Sequence, residues 1–326
     1  MDRGPNLKPV PRRIALFCGN NEITKAAARY IQEESPQTQI RLVIRQEKHR
    51  SKLEAQFPGV EIAMADYFDL PSLEKAVKGV QGLFVVTPDF MDEQRAMTNL
   101  IYAVRTNPAI VHIVRFMGEL PGMTEKRMPT YIKTYSGGPH VQHMVARKIL
   151  EDTDLPITYI NCAANFFQNF TSRVYNASIR QHRILAVPRN RRLGFIDKAD
   201  TGRCAGALLL SPNHRHIGQT YQLDNNNDVL WFDELAVLMS EVFGEEIRYD
   251  GSDEAFLRLN GPSMKAGHDR ENADQFGVDL FQFEKDSETV WRKSDIVEYL
   301  TGRKPVTLRE WLAANRDAVL NGPPAT

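Results

Sequence analysis

Three residues near the middle of the chain have types and a spacing that suit proton transfer. His140, His143 and Arg147 stand at positions i, i+3 and i+7 of one predicted helix, so they can share one face. The segment before them contains Tyr131 and Tyr135, whose phenols can donate a proton or a hydrogen bond. His143 is therefore a candidate general acid or base, with Tyr135 or Tyr131 as candidate donors to a substrate carbonyl. The alternative is a structural hydrogen bond for His143 and simple packing for the tyrosines.

The surroundings of His143 bear on its protonation. Arg147 places a positive charge about one helical turn away. A nearby cation disfavours the protonated imidazole, so we expect the pKa of His143 to lie below that of a typical histidine.

The turn after the first predicted strand stands where a phosphate-binding loop would be. It reads CGNNEIT from Cys18 to Thr24, and such a turn meets a pyrophosphate at the amino end of the next helix. Cys18, Asn21 and Thr24 occupy the positions of the usual glycines, and a loop that still binds phosphate would hold Asn21 at positive φ. The candidate contacts are Gly19, Asn20, Asn21 and Ile23. Either the loop is distorted but working, or the core has lost its cofactor.

Other candidate cofactor contacts lie where predicted strands end. Arg45 ends the second strand, where a guanidinium can clamp a 2′-phosphate and favour NADP(H) over NAD(H); the alternative is an ordinary surface arginine. Asp66 and Tyr67 close the third strand, where an adenine ring would rest, although Asp66 could instead cap a turn. Thr87 and Pro88 end the fourth strand, at the edge where ligands bind in open α/β sheets.

The elements that must position these residues follow from a regular alternation of apolar runs and amphipathic segments. This alternation predicts βαβ units and an α/β fold, a Rossmann-type doubly wound parallel sheet. The predicted strands are Ile14 to Cys18, Ile40 to Arg45, Val60 to Met64, Leu83 to Val86, Ile110 to Arg115 and Ile157 to Asn161. The predicted helices are Ile23 to Glu33, Lys48 to Phe57, Leu70 to Val77, Met91 to Arg105 and His140 to Glu151.

A second region follows, because the alternation decays after Asn161. We expect an NADP(H)-binding Rossmann domain over residues 13–165 and a smaller α/β substrate-binding cap over 166–326, with chain exchanged between them. Phe166 and Phe167 are candidate substrate contacts in an apolar pocket, with core packing as the alternative. A polar loop is expected from Asn260 to Asp274.

Composition narrows the partners and the compartment. Lys plus Arg equals Asp plus Glu, 41 against 41, so a nucleic-acid partner is not expected. The apolar runs are too short to span a membrane, and the amino terminus lacks a signal-peptide pattern. The 3 cysteines show no metal-ligand spacing. We expect a cytoplasmic protein with a small-molecule substrate and no metal; a homodimer is left open.

Several segments together resemble the NmrA-like and isoflavone-reductase-like proteins, from about Arg13 to about Asn315. They are LFVVTP at 83–88, IVR at 113–115, LPIT at 155–158, FFQN at 166–169 and LTGRKP at 300–305. The resemblance implies an extended Rossmann domain that binds NADP(H) and a small carboxy-terminal domain over a substrate cleft. It also places His143 where these relatives carry a working lysine or a histidine, and Arg147 where many NmrA-like proteins carry glutamate.

The resemblance and the residues leave three functions open. The first is an NADPH-dependent reductase of a small, ring-bearing secondary metabolite. The second is a non-redox isomerase or cyclase on the same fold, with its cofactor retained or lost. The third is an NADP(H)-sensing regulator that binds a protein partner. A Ser/His/Asp hydrolase lacks support because the chain has no G-x-S-x-G elbow.

Overall fold

A computed structural model describes residues 6–133, 139–172, 174–268 and 272–322. Its strands are β1 (Arg13–Phe17), β2 (Gln39–Ile44), β3 (Glu61–Met64), β4 (Gly82–Val85), β5 (His112–Met117), β6 (Ile157–Asn161), β7 (Asn165–Phe166), β8 (Ile184–Ala186), β9 (Arg192–Ile196), β10 (Thr220–Gln222), β11 (Val229–Trp231) and β12 (Arg248–Asp250). Its α-helices are α1 (Glu22–Glu34), α2 (Arg50–Gln56), α3 (Leu70–Val77), α4 (Glu93–Arg105), α5 (Thr130–Lys133), α6 (Pro139–Glu151), α7 (Asn176–His182), α8 (Lys198–Leu210), α9 (Phe232–Phe243), α10 (Asp253–Leu259), α11 (Gly261–His268), α12 (Ala273–Asp286), α13 (Ile296–Thr301), α14 (Leu308–Ala314) and α15 (Arg316–Asn321). Three short 3-10 helices cover Glu47–His49, Phe167–Phe170 and His214–His216.

A seven-stranded parallel sheet forms the centre, in the order β10-β6-β5-β4-β1-β2-β3. Side chains of β1 alternate between its two faces, as the period of two in a strand requires. Ile14 and Leu16 pack with α1, α2, α8 and α13 on one face, whereas Ala15 and Phe17 pack with α3, α4 and α6 on the other. The sheet is therefore doubly wound, and the Rossmann-type prediction is confirmed.

The second unit has a core of its own. β11, β9 and β7 form a three-stranded sheet, and β12 pairs with β8. Phe167, Phe170 and Phe195 are buried with residues of α9, α12, α14 and α15. The chain also returns to the first unit, because α8 packs on α1, β10 joins the central sheet beside β6, and α13 packs on α8.

Two helices of the first unit cross at very short range. Gly202 of α8 faces α1 so closely that a Cβ there would lie 2.3 Å from the carbonyl oxygen of Ile23. A Cβ on Gly206 would lie 2.7 Å from Cδ1 of Tyr30. Two glycines one helical turn apart thus let α8 lie against α1, whose amino end adjoins the candidate phosphate loop.

The predicted loop from Asn260 to Asp274 is wrong for most of its length. Gly261–His268 is helix α11, and α12 begins at Ala273. Pro262 lies in the first turn of α11, where a missing N–H costs nothing. No helix among the described residues is long and apolar enough to cross a membrane.

Candidate functional site

A first cavity of about 140 Å³ opens beyond the carboxyl ends of β1 to β4. Five of the predicted cofactor contacts line it: Asn20, Arg45, Asp66, Tyr67 and Pro88. They meet there because neighbouring parallel strands end at one edge of the sheet. This edge is where a mononucleotide half would lie in a fold of this type.

The first cavity is lined by one charged side chain that has no partner among the described residues and by two side chains that already make hydrogen bonds. Arg45 is exposed and makes no hydrogen bond or ion pair within the described part of the chain. Asp66 Oδ1 accepts from the backbone N–H of Phe68 at 2.9 Å, which is a turn-capping bond. Tyr67 is buried against Phe17, and its hydroxyl donates to the carbonyl of Val86 at 2.8 Å.

The loop between β1 and α1 has a different geometry from the expected one. Asn21 has φ −76° and ψ 143° and caps α1, its side chain accepting from the N–H of Ile23. The expectation of positive φ at Asn21 is therefore wrong, and Cys18, with φ 53°, is the left-handed residue. Gly19 turns inward: its N–H donates to Val43 at 2.8 Å, and a Cβ would lie 3.0 Å from that of Leu42.

The remaining backbone groups of this loop partly suit an anion. Among the described residues, the N–H groups of Asn20 and Glu22 have no protein acceptor. The Glu22 carboxylate, which would repel a phosphate, is ion-paired with Lys25. Thr24 is accommodated because it is fully buried and its hydroxyl donates to the carbonyl of Phe17 at 2.9 Å. The loop thus offers an anion two backbone N–H groups, and the negative charge of Glu22 beside them is partly neutralised.

A second, larger cavity of about 350 Å³ continues from the first between the two units, and we call it the cleft. Asn21, Ile23, Thr87 and Pro88 line it from the first unit, and Phe166 lines it at the start of the second. Pro88 belongs to the walls of both cavities, so they adjoin. The far wall is one face of α12, at Phe276, Gly277, Leu280, Phe281 and Glu284.

His140 and His143 both line the cleft and bind the backbone of the same residue, Gly118. His143 Nδ1 accepts from the N–H of Gly118 at 2.7 Å. His140 Nδ1 lies 2.6 Å from the carbonyl oxygen of Gly118, which can only accept. The neutral His143 ring therefore carries its proton on Nε2, and the His140 ring carries its proton on Nδ1.

Burial keeps both imidazoles neutral. The pKa of His143 lies well below the ordinary value because the ring is buried and because Arg115, His140 and Arg147 add positive charge. The expected direction is confirmed, with burial as the larger cause. Burial also lowers the pKa of His140. Arg147 forms an ion pair with Glu119 at 2.6 Å and another with Glu151 of α6.

Thr87 belongs to a buried charged network that the sequence did not reveal. Arg115 of β5 is fully buried, and its Nη2 lies 2.7 Å from Glu93 Oε1 and 3.0 Å from the hydroxyl of Thr87. Thr87 also donates to Glu93, whose backbone N–H donates to Gln142 of α6 at 2.9 Å. The hydroxyl of Thr87 therefore braces α4 and α6 against the sheet.

The predicted aromatic contacts separate into two groups. Phe166 lines the cleft and stacks with Phe116, their centroids 6.4 Å apart. Phe167 does not reach the cleft: it is fully buried and packs on Trp311, because its 3-10 helix turns it into the core of the second unit.

Of the two candidate tyrosines, the one that the structure describes, Tyr131, is not brought to the cleft. Tyr131 packs in a separate cluster with Leu120 and Phe283, and it is not among the residues that line the cleft. Burial and the carboxylates of Asp286 and Asp279 raise the pKa of Tyr131. Tyr135 lies outside the described residues.

The chain after Asn165 contributes polar groups that were not predicted from the sequence. Lys198 opens α8 and lines the cleft, where its ammonium lies 5.4 Å from the centroid of Phe166. Tyr175 also lines it, and its hydroxyl accepts from Asn165 at 2.8 Å. A lysine in the first helical turn opposes the helix dipole, and this unfavourable position was the one available signal for Lys198.

A doubly wound sheet with a cleft beyond its carboxyl edge, closed by a smaller unit, defines an extended Rossmann-type protein. The chain belongs to the NmrA-like family, whose model matches residues 12–286. A comparison with curated protein sequences finds no match.

Solved structures share this fold over nearly the whole chain. A Citrobacter sp. triphenylmethane reductase complexed with NADP(H) is 21% identical, with a TM-score of 0.72, covering 91% of this chain and 98% of that one. An NADPH-dependent quinone oxidoreductase from Escherichia coli, complexed with NADPH, is 19% identical, with a TM-score of 0.71 and coverage of 92% and 99%. An isoflavone reductase is 14% identical, with a TM-score of 0.65 and coverage of 93% and 99%.

Proposed function

We propose that this protein is an NADPH-dependent reductase of a small, ring-bearing metabolite. The observation that carries the proposal is the pair of adjoining cavities at the carboxyl edge of the sheet. The first cavity lies where an adenosine 2′-phosphate would bind, and its Arg45 has no partner among the described residues. The second cavity has aromatic walls and a neutral imidazole. A dinucleotide would reach from one to the other past Pro88.

The residues of the first cavity fit the NADP(H) that the fold family implies. Arg45 would bind the 2′-phosphate, Asp66 and Tyr67 would border the adenine, and the N–H groups of Asn20 and Glu22 would serve the pyrophosphate. When bound, NADPH supplies a hydride to the substrate. The solved neighbours that hold NADP(H) or NADPH support this choice of cofactor.

His143 would assist the reduction by donating a hydrogen bond to the reacting substrate oxygen, and the proton that completes the product would be taken up from solvent. Its Nδ1 is held by the N–H of Gly118, so the proton available to a substrate oxygen is the one on Nε2. A neutral imidazole that donates a hydrogen bond within the cleft stabilises developing negative charge on that oxygen. Phe116 and Phe166 would hold a flat ring beside it by stacking.

A specific observation favours a second candidate, a non-redox isomerase or cyclase on the same cleft. The N–H groups of Gly19 and Ile23, which a phosphate-binding loop would present, are bonded to Val43 and Asn21 instead. A loop already satisfied by the protein gains less from a pyrophosphate. In that case the two histidines would move a proton within the substrate without a cofactor.

The cofactor preference of Arg45 tests the proposal. Because charge-assisted bonds contribute about 1.5–3 kcal/mol each, Arg45→Ala should weaken NADPH binding by at least about tenfold and leave NADH binding unchanged. Isothermal titration of both variants with both cofactors measures this. Lys48→Ala, a nearby exposed cation that does not line the cavity, is the control. Equal affinity of the wild type for NADH and NADPH would remove the preference, and no binding of either would favour the non-redox candidate.

A further inference from the structure

Lys198 stands apart from the other charged groups of the cleft. It is the only lysine or arginine among the described residues that line this cavity, and within that part of the chain it forms no ion pair. Its backbone N–H is already bonded to Gln168 Oε1, and Asp197 caps the N–H of Ala199. The amino end of α8 is thus satisfied by the protein, and the ammonium is the group left to meet a ligand.

Two of the three acidic groups whose charge reaches Lys198, Asp197 and Glu22, are committed elsewhere, and the third, Asp89, lines the same cleft. Asp197 accepts from Ala199 and from Gln168 Nε2, and Glu22 is paired with Lys25. Burial lowers the pKa of Lys198, while the charges of Asp89, Glu22 and Asp197 oppose this in part. The pKa of Lys198 is lowered overall, because the protein does not fully replace the hydration that the ammonium loses on burial.

Glu284 is the acidic residue on the opposite wall of the cleft, and it too has a partner. Its Oε2 accepts from Arg191 Nε at 2.6 Å, and Arg191 is buried against the rings of Phe232 and Phe281. A ligand anion would therefore find its free counter-charge at Lys198 rather than on the α12 wall.

A row of contacts joins Lys198 to the imidazole. The ammonium lies 5.4 Å from the centroid of Phe166, which stacks with Phe116 at 6.4 Å. Phe116 in turn lies edge-on to His143, their centroids 6.4 Å apart. The cleft therefore has the Lys198 ammonium at one end, two phenylalanine rings in the middle and the hydrogen-bond donor of His143 at the other end.

We propose that the cleft selects a flat, ring-bearing carboxylate, with the anionic group bound by Lys198 and the reacting oxygen at His143. This inference rests on the proposed use of the cleft as the substrate site. A phosphate of the dinucleotide is the other anion that an ammonium could bind. The carboxylate is favoured because the ammonium lies against Phe166, whose ring continues through Phe116 to His143.

A pair of isosteric probes tests the inference without any turnover. We expect 2-naphthoate to bind at least about tenfold more tightly than 2-naphthamide, because only the first has a charge to pair with the ammonium. Lys198→Met, which keeps the apolar stem beside Phe166, should abolish this difference by weakening naphthoate alone. Lys198→Arg should retain it, and Lys304→Met, at an exposed position away from the cleft, should behave as wild type. Isothermal titration is run with and without NADPH.

The outcomes separate the two proposals. Equal affinity of wild type for naphthoate and naphthamide, or no binding of naphthoate with or without cofactor, would overturn the carboxylate assignment. Weaker NADPH binding by Lys198→Met with unchanged naphthoate binding would assign the ammonium to the dinucleotide phosphate instead. Selective naphthoate binding by a protein that does not bind NADPH would support the carboxylate site and defeat the reductase.

Discussion

At the scale of single residues, His143 carries two hydrogen-bonding duties on opposite sides of one ring. Nδ1 accepts from the N–H of Gly118, and Nε2 is the donor left for a ligand. Deleting the ring would therefore unsettle the fold and the chemistry together, since an unsatisfied buried N–H costs about 1–3 kcal/mol. A useful substitution must remove one duty and keep the other.

Asparagine and glutamine make that separation at His143. In His143→Asn the amide oxygen can take the place of Nδ1, so the melting temperature should stay near wild type while turnover falls about a hundredfold or more. In His143→Gln the amide N–H can take the place of Nε2, so stability should fall and more activity should remain. Thermal melts and kcat on a ring-bearing enone turned over by wild type measure both. Full activity in His143→Asn would make the residue purely structural.

The sequence anticipated the residues of the first cavity better than those of the cleft. Arg45, Asp66 and Pro88 end or follow strands of the regular βαβ alternation, so the period of the pattern alone brings them to one edge. Lys198 and Glu284 lie on α8 and α12, in the part of the chain that follows the regular alternation. Their approach depends on how the second unit packs, which no local pattern records.

At the scale of elements, the crossing of α1 and α8 holds in place the amino end of α1, which directly follows the candidate phosphate loop. Alanine in place of a helix-interior glycine would normally gain about 1 kcal/mol from propensity. At Gly202, however, the new Cβ would meet backbone of Ile23 at 2.3 Å, so α8 must move. Overpacking of this kind typically costs about 1–3 kcal/mol, which outweighs the gain from helix propensity, so the substitution should be destabilising.

Gly202→Ala is therefore expected to lower the free energy of unfolding and to weaken NADPH binding through displacement of α1. Gly206→Ala is the matched comparison: its nearest obstacle is Cδ1 of Tyr30, a side chain that can turn away, so its loss should be smaller. Urea denaturation of both variants gives the two free energies. A Gly202→Ala protein as stable as wild type would show that the helices tolerate a wider separation.

The elements themselves were predicted unevenly. The first six strands and the five predicted helices fall within about two residues of their expected positions, and β6 and α3 have the expected bounds, whereas the short helix α5 was not predicted. The second region was predicted only in part: the sequence indicates a helix near Asp200 to Leu210 and a strand at Thr220 to Leu223, which α8 and β10 confirm, whereas a strand of two residues such as β7 shows no measurable alternation. The segment after Asn260 was mistaken for a loop because glycine and proline outweighed a short helical pattern.

At the scale of the whole molecule, four histidines are held neutral by the fold. Burial is the main reason that the pKa values of His112, His140, His143 and His216 are lowered, that of His112 from 6.5 to about 3. The unfolded chain binds protons at these rings below about pH 6.5 and the folded chain does not. Stability contributed by the neutral rings is therefore complete above that pH and is lost as the pH falls toward the folded pKa values.

We accordingly expect the free energy of unfolding to decline between pH 7 and 5.5, before most carboxylates titrate. Each histidine adds a slope that approaches about 1.4 kcal/mol per pH unit. His112→Gln, which can keep a donor for Thr158, should reduce the slope, whereas His182→Gln at an exposed position should not. Urea denaturation at a series of pH values measures it. A flat profile would mean that the buried rings take up protons as readily as in the unfolded chain.

The backbone of Gly118 ties together the two imidazoles that face the cleft, and this has a consequence for anyone who wishes to redesign the protein. Its N–H, in the peptide before it, orients one ring and its carbonyl, in the peptide after it, orients the other, so a change in φ or ψ at this one residue alters the donor and the acceptor relative to each other. A Cβ on residue 118 would also press on the His143 ring at 3.2 Å. Positions 118, 140 and 143 thus behave as a single variable in a mutant library, and changing them one at a time would sample mostly broken combinations.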